Sequence, residues 1–224
     1  MDEKVVKLKN DLKNRGIKGL ALDIDETLSD SNTHWFEHMF KFHKPENFTV
    51  DEIIEKYQII EHVPEPKWQT EEAYEYLNQA LHSNKFNEEI PLITDADSIV
   101  RKLNKEIPIV AYITARPETI ITGTKKWLHK HKFPEAEVVT QSSEVKASKD
   151  HFILRNSWKS LVLDYLYPEV MGIVDDNVGL AYELKKIGYK GTQYLYGTNT
   201  DEFKGYKNVI VCPTWQDVLK AIVR

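Results

Sequence analysis

Asp23 and Asp25 stand two residues apart where the apolar run Leu20-Ala21-Leu22 gives way to a turn, with Ile24 between them. Two carboxylates this close repel unless a cation lies between them, so the pair points to a bound divalent metal held by hard oxygen ligands. Three further places end an apolar run, or begin a helix, with a group suited to phosphate. Thr114 closes one run and is followed by Ala115-Arg116-Pro117, a predicted helix start whose free N–H groups would favour an anion. Lys159 opens a predicted helix with Leu161, Val162 and Leu163, and Lys146 and Lys149 in the preceding connection are the alternatives to it. Asp175 and Asp176 close the run Val170-Met171-Gly172-Ile173-Val174. On adjacent parallel strands these groups would meet in one crevice at the carboxyl edge of a sheet, where open α/β folds bind their ligands.

The elements that must position them follow from hydrophobic periodicity. Val5, Val6, Leu8 and Leu12 predict a lead-in helix over 2–14, and the first strand falls at about 18–24. From about 31 to 90 aromatics and acids mix at helical spacing, with predicted helices at 33–43, 50–60 and 70–82. Thr49-Val50-Asp51-Glu52 reads as a capping arrangement for the middle one. From Pro91 onward strands and helices alternate: a helix at 95–105, a strand at 107–113, a helix from Pro117 to His131 and a strand at 137–140. A helix near 157–166, the strand ending at Asp175-Asp176, a helix at 178–187, a strand at 191–196 and a helix after Pro213 complete the order. Alternation of this kind implies a parallel sheet with right-handed crossovers, covered on both faces. The expected fold is therefore α/β, a three-layer doubly wound parallel sheet built from residues 1–30 and 91–224, with a helical cap of residues 31–90 inserted after the first strand.

Asp23-Ile24-Asp25-Glu26-Thr27-Leu28, Thr114, Lys159 and Val174-Asp175-Asp176-Asn177 occur in the order of four motifs. In these the chain, from about 18 to 200, resembles the haloacid dehalogenase superfamily of Mg²⁺-dependent phosphohydrolases, and the long insertion resembles the cap placement called C1. Many members carry Gly where this chain has Glu26. The resemblance implies Asp23 as a nucleophile that forms an aspartyl phosphate, and Asp25 as the acid and base, a role needing a pKa raised towards neutrality. It implies Mg²⁺ held by Asp23, the Asp25 carbonyl and Asp175, with Asp176 acting through water or on the lysine. Thr114, the Ala115 amide and Lys159 would hold phosphoryl oxygens, with Arg116 at the crevice mouth in contact with substrate. The expected substrate is a small phosphomonoester of nucleotide or phosphosugar type. A 3′-phosphatase of nucleic-acid ends and a catalytically silent phosphate-binding or regulatory domain are the competing expectations.

The composition bounds the rest. With 224 residues, 41% hydrophobic and 29% charged, the chain can bury a proper core. A net charge of −5 gives no general attraction to polyanions, so a nucleic-acid partner is not expected. No apolar span approaches the roughly 20 residues a membrane helix needs, and the charged N-terminus does not read as a signal peptide, so a cytoplasmic location is expected. The one cysteine, Cys212, leaves no disulfide or multi-cysteine zinc site within the chain. His34 and His38 share a helix face but lack a third ligand, and the lysines of 125–132 read as the solvated side of a helix whose Trp127 and Leu128 face inward. Trp68, Tyr74, Tyr76 and Phe86 read as the insertion's own core.

Overall fold

The computed structural model describes residues 1–58, 60–141 and 151–223, apart from the side chains of residues 61 and 151–154. Lys146 and Lys149 lie outside the described residues. Six strands form one parallel sheet: β1 Gly19–Leu22, β2 Ile109–Pro117, β3 Glu137–Gln141, β4 Val170–Asp175, β5 Thr192–Tyr196 and β6 Val209–Cys212. Their order is β3-β2-β1-β4-β5-β6. The chain winds outward from β1 to β3, then returns to β4 on the other side of β1. The carboxyl ends of β1, β2 and β4 thus flank the switch point, where a doubly wound sheet opens a crevice.

The helices are α1 Glu3–Arg15, α2 Ser31–Phe42, α3 Val50–Tyr57, α4 Glu71–Leu81, α5 Asn84–Glu88, α6 Ala96–Glu106, α7 Ile121–Lys130, α8 His151–Leu166, α9 Val178–Lys186 and α10 Trp215–Ile222. Side-chain alternation along β1 sorts them into two layers. Leu20 and Leu22, with Ile24 just beyond, pack against Ile99 and Leu103 of α6, Trp127 of α7 and Val218 of α10. Ala21 points the other way, to Val5 and Leu8 of α1, Val162 and Leu166 of α8, and Leu180 of α9. On α8, Val162, Leu163 and Leu166 stand at i+3, i+4 and i+7 from Lys159, and all four are buried. Lys159 therefore belongs to the inward row of an amphipathic helix.

Residues 31–88 hold α2 to α5 around their own cluster of Phe36, Met39, Ile53, Val63, Trp68, Ala73 and Leu77. The Trp68 indole donates to the His43 carbonyl at 2.8 Å, and the expected capping box of Thr49 and Glu52 opens α3. Both linkers of the insertion are tied together: Asp30 N–H donates to the Pro91 carbonyl and Ile93 N–H to the Leu28 carbonyl, each at 2.9 Å. Its last helix, α5, lies against α7, where Asn84 Oδ1 accepts from the Gly123 N–H at 2.6 Å. A Cβ at position 123 would stand 2.7 Å from the Asn84 carbonyl oxygen, so only glycine allows this approach.

The structure departs from the sequence expectations in four places. β2 does not stop at Thr114 but stays extended to Pro117, which pairs with Gln141 of β3, and α7 begins only at Ile121. The N–H groups at 114–116 are thus strand groups, and the helical start is a short 3-10 turn over Glu118–Ile120, capped by Pro117, that leads into α7. α8 starts at His151, so Lys159 sits in its interior and does not open it. β6 is a sixth strand on the far edge, absent from the sequence reading because four residues carry little pattern. α5 is likewise an extra short helix.

Candidate active site

The alternation that buries Ala21 carries two residues further to Asp23, on the α8 side of the sheet. Beyond the end of β1, the Asp23 N–H donates to the Val174 carbonyl at 2.9 Å, which continues the pairing with β4. On β4 the same alternation takes Ile173 of the α8-side cluster to Asp175. Both carboxylates therefore meet the inward row of α8, and Lys159 Nζ stands 2.8 Å from Asp23 Oδ2 and 2.8 Å from Asp175 Oδ2. Lys159 is 3% exposed and Asp23 7%. Asp176 adds a third carboxylate; one oxygen from each of Asp23, Asp175 and Asp176 lies within 4.8 Å of the others.

Neighbouring residues hold this cluster in place. The Asn177 N–H donates to Asp175 Oδ1 at 2.8 Å, while the Asn177 side chain caps α9. Thr27 Oγ1 donates to Asp176 Oδ1 at 3.0 Å and accepts from the Asp176 N–H at 3.2 Å. The Thr27 carbonyl in turn accepts from the Trp215 indole at 3.1 Å. Trp215 carries no signal of this role in the sequence, because its partner Thr27 lies 188 positions away, whereas Asn177 stands two residues after the acid it holds.

Electrostatically the cluster is short of positive charge: among the described residues, three carboxylates share one ammonium. Burial pushes the Asp23 pKa up to about 7; Lys159 opposes this and the Asp175 charge adds to it. Asp176 is raised well above the usual carboxylate range by burial and by Asp175 and Asp23. Lys159 is held protonated, its burial being outweighed by the two carboxylates. Asp23 Oδ1 is buried with no hydrogen-bond partner. An orphaned oxygen in an all-oxygen, excess-negative set fits a hard divalent cation such as Mg²⁺. Among the described residues this is the one group of acids, histidines or cysteines spaced to hold a metal.

Asp25 departs from expectation. Burial alone would raise its pKa, but the Arg116 charge and hydrogen bonds, aided by Ser29, hold it below the usual carboxylate value. Arg116 lies 4% exposed behind it, not in the open crevice mouth. Its Nε reaches Asp25 Oδ1 and Oδ2 at 3.1 and 3.0 Å, and its Nη2 reaches Oδ1 at 2.7 Å. Thr114 is buried at the same edge, and its Oγ1 accepts from the Arg116 N–H at 3.2 Å, leaving its own O–H free to donate elsewhere. Ala115 lies between them on β2.

Glu26 occupies a left-handed backbone position, φ 57°, which suits the glycine that the resemblance leads one to expect. Here the carboxylate offsets that strain by accepting from the Ser31 hydroxyl at 2.8 Å and the Asn32 N–H at 2.5 Å, in the first turn of α2. The turn at the carboxyl edge of β1 is thus fastened to the start of the insertion. His34 and His38 pack into the insertion against Phe86 and Tyr76. Trp127 and Leu128 of α7 are buried while Lys125, Lys126 and Lys130 face solvent.

No protein-family model matches the sequence, and no curated protein matches it. A hydrolase from Pseudomonas syringae shares the fold with a TM-score of 0.53 at 18% identity, over 92% of this chain and 98% of that one. A chain from Bacteroides fragilis assigned as a haloacid dehalogenase-like hydrolase gives 0.54 at 19% identity, over 87% and 96%. One from Clostridium difficile assigned as a phosphatase gives 0.55 at 14% identity, over 92% and 99%. The chain has the haloacid dehalogenase-like fold. Among its described residues no helix is long and apolar enough to cross a membrane.

Proposed function

We propose that the protein is a Mg²⁺-dependent phosphatase of small phosphomonoesters that works through an aspartyl phosphate on Asp23. The observation that carries this is the unpartnered, buried Asp23 Oδ1 beside Asp175 and Asp176, with Lys159 bridging two of the three acids. Asp23, Asp175, Asp176 and the Asp25 carbonyl would hold the ion. When bound, Mg²⁺ supplies the positive charge that lets an anionic carboxylate meet an anionic ester.

In the first step the Asp23 carboxylate attacks phosphorus, the bond from phosphorus to the ester oxygen breaks, and that oxygen takes a proton from Asp25, which must first be protonated against its pairing with Arg116. In the second, Asp25 accepts a proton from water as the water oxygen attacks phosphorus, releasing phosphate and the Asp23 carboxylate. Lys159, the Thr114 hydroxyl and the Ala115 N–H would bind phosphoryl oxygens, where charge grows in the transition state.

A small substrate is favoured by the insertion, which rises from the turn that carries Asp25 and Glu26. Beside that turn lies a cleft of about 420 Å³ lined by Asp30, Ile93, Thr94, Tyr196, Trp215 and Gln216, among others. It is of a size for a nucleoside or sugar. None of Asp23, Asp25, Thr114, Lys159, Asp175 and Asp176 lines the cleft itself; Trp215, which does, holds the carbonyl of Thr27, whose hydroxyl meets Asp176. The test is release of phosphate from a panel of nucleoside monophosphates and sugar phosphates with Mg²⁺ and with EDTA. Metal-dependent turnover that Asp23→Asn abolishes is expected. Turnover that survives Asp23→Asn would overturn the proposal, as would none on the whole panel.

A further inference from the structure

The geometry points to Arg116 as a positioning residue that acts through Asp25, turning one carboxylate oxygen, Oδ2, towards the leaving group. This rests on the phosphatase reading above. The two oxygens of Asp25 are not equivalent. Oδ1 accepts from Arg116 Nη2 at 2.7 Å, Arg116 Nε at 3.1 Å and Ser29 Oγ at 3.2 Å. Among the described residues Oδ2 accepts only the shared Arg116 Nε, at 3.0 Å. An ionised carboxylate offers about four acceptor sites over its two oxygens, so Oδ1 is filled and Oδ2 keeps room for a proton in transit.

Exposure runs the same way. The Asp25 side chain is 33% exposed while that of Arg116 is 3% exposed, so the acid faces the crevice and the guanidinium backs it. Arg116 has little left to offer a substrate: its other contacts are Ser29 Oγ at 3.2 Å from Nη2 and Thr124 Oγ1 at 3.5 Å from Nη1. Its Cζ also lies 5.9 Å from the centre of the Trp127 ring. Ser29 is itself held, its hydroxyl 3.2 Å from the Ile24 carbonyl. The clamp is thus built from the turn after β1, the end of β2 and two successive turns of α7. A forked, planar guanidinium sets the plane of a carboxylate, which a lysine ammonium cannot do.

A residue that orients the proton donor matters in proportion to the leaving group's need for a proton. p-Nitrophenolate departs without one at neutral pH, whereas a glycerol alkoxide does not. The experiment compares kcat/KM for p-nitrophenyl phosphate and glycerol 2-phosphate in wild type, Arg116→Lys, Arg116→Met and Ser29→Ala, with Mg²⁺ present. Proton transfer by a placed group is worth about 10²–10⁴ in rate. Arg116→Met is therefore expected to lose about 10² or more on glycerol 2-phosphate and less than about tenfold on p-nitrophenyl phosphate. Arg116→Lys should give the same selective loss, because a point charge does not restore the fork. An equal loss on both substrates, or a raised KM at unchanged kcat, would overturn the assignment. If the Arg116 variants do not fold, Ser29→Ala decides alone: selective loss supports the clamp, and equal loss refutes it. A wild type inactive on both esters and on the nucleoside monophosphate and sugar phosphate panel would instead overturn the phosphatase reading.

Discussion

Replacing Lys159 by methionine keeps most of the side-chain volume and removes the one cation that the described residues bring to a cluster of three acids. At 2.8 Å from each of two carboxylate oxygens, the ammonium is worth about 6 kcal/mol per contact at an effective dielectric constant of about 20, before the cost of burying it. Removing one partner of a buried ion pair costs about 3–5 kcal/mol net. For a domain of this size that corresponds to a fall in Tm of about 6–20 °C in EDTA at neutral pH. Mg²⁺ should restore much of it, because a cation that binds only the folded state stabilises by about 2.7 kcal/mol at one hundred times its Kd. Thermal melts of wild type and Lys159→Met, in EDTA and in saturating Mg²⁺, measure both effects. The variant should gain more from the metal than the wild type does, while turnover stays at least about 10²-fold down for want of a phosphoryl-oxygen donor. A variant that melts within about 2 °C of wild type in EDTA would show that Lys159 does not neutralise the buried acids.

Further predictions follow from the same contacts. Asp23 and Asp176 have folded pKa values above their unfolded ones, so their stabilising contribution is complete below the unfolded value, near pH 4, and is lost as pH rises through the folded value, about 7 for Asp23. In EDTA the Tm should therefore fall between pH 5 and 8 relative to the curve in Mg²⁺, and the opposite ordering would contradict the charge assignment. Thr27→Val removes the hydroxyl that steadies Asp176 and should weaken Mg²⁺ binding about 10–100-fold in calorimetric titration. Unchanged affinity would remove Asp176 from the ligand set. Trp68→Ala, at the centre of the insertion's own cluster, should cost about 3–5 kcal/mol in denaturant unfolding. A loss under about 1 kcal/mol would mean that the insertion is not packed around it.

The acids at 23 and 175 were legible in the sequence because each ends an apolar strand, and strands that are neighbours in a parallel sheet share an edge. Lys159 was legible by its proximity to the β4 strand, and the structure supplies the stronger reason: it begins an i, i+3, i+4, i+7 row that is otherwise apolar. The pairing of Asp25 with Arg116 was not legible. It spans 91 positions and depends on β2 staying extended past Thr114, whereas Thr-Ala-Arg-Pro has the local chemistry of a helix start. Tertiary pairing with Gln141 and the buried guanidinium keep residues 114–117 extended, and the helical turn that Pro117 caps begins at Glu118. β6 shows the same limit from the other side, since four edge residues become a strand only by pairing with β5.

The most direct test of the central proposal is to find the phosphoryl group on the chain. Asp25→Asn lacks the base for the second step, so with p-nitrophenyl phosphate and Mg²⁺ the first step should outrun it. Acid quenching, proteolysis and mass spectrometry should then show one phosphoryl group on the peptide of the β1 strand, carried by Asp23. A quenched protein without phosphoryl, under conditions where wild type turns over many times, would contradict the covalent mechanism, and a label on any other residue would move the nucleophile.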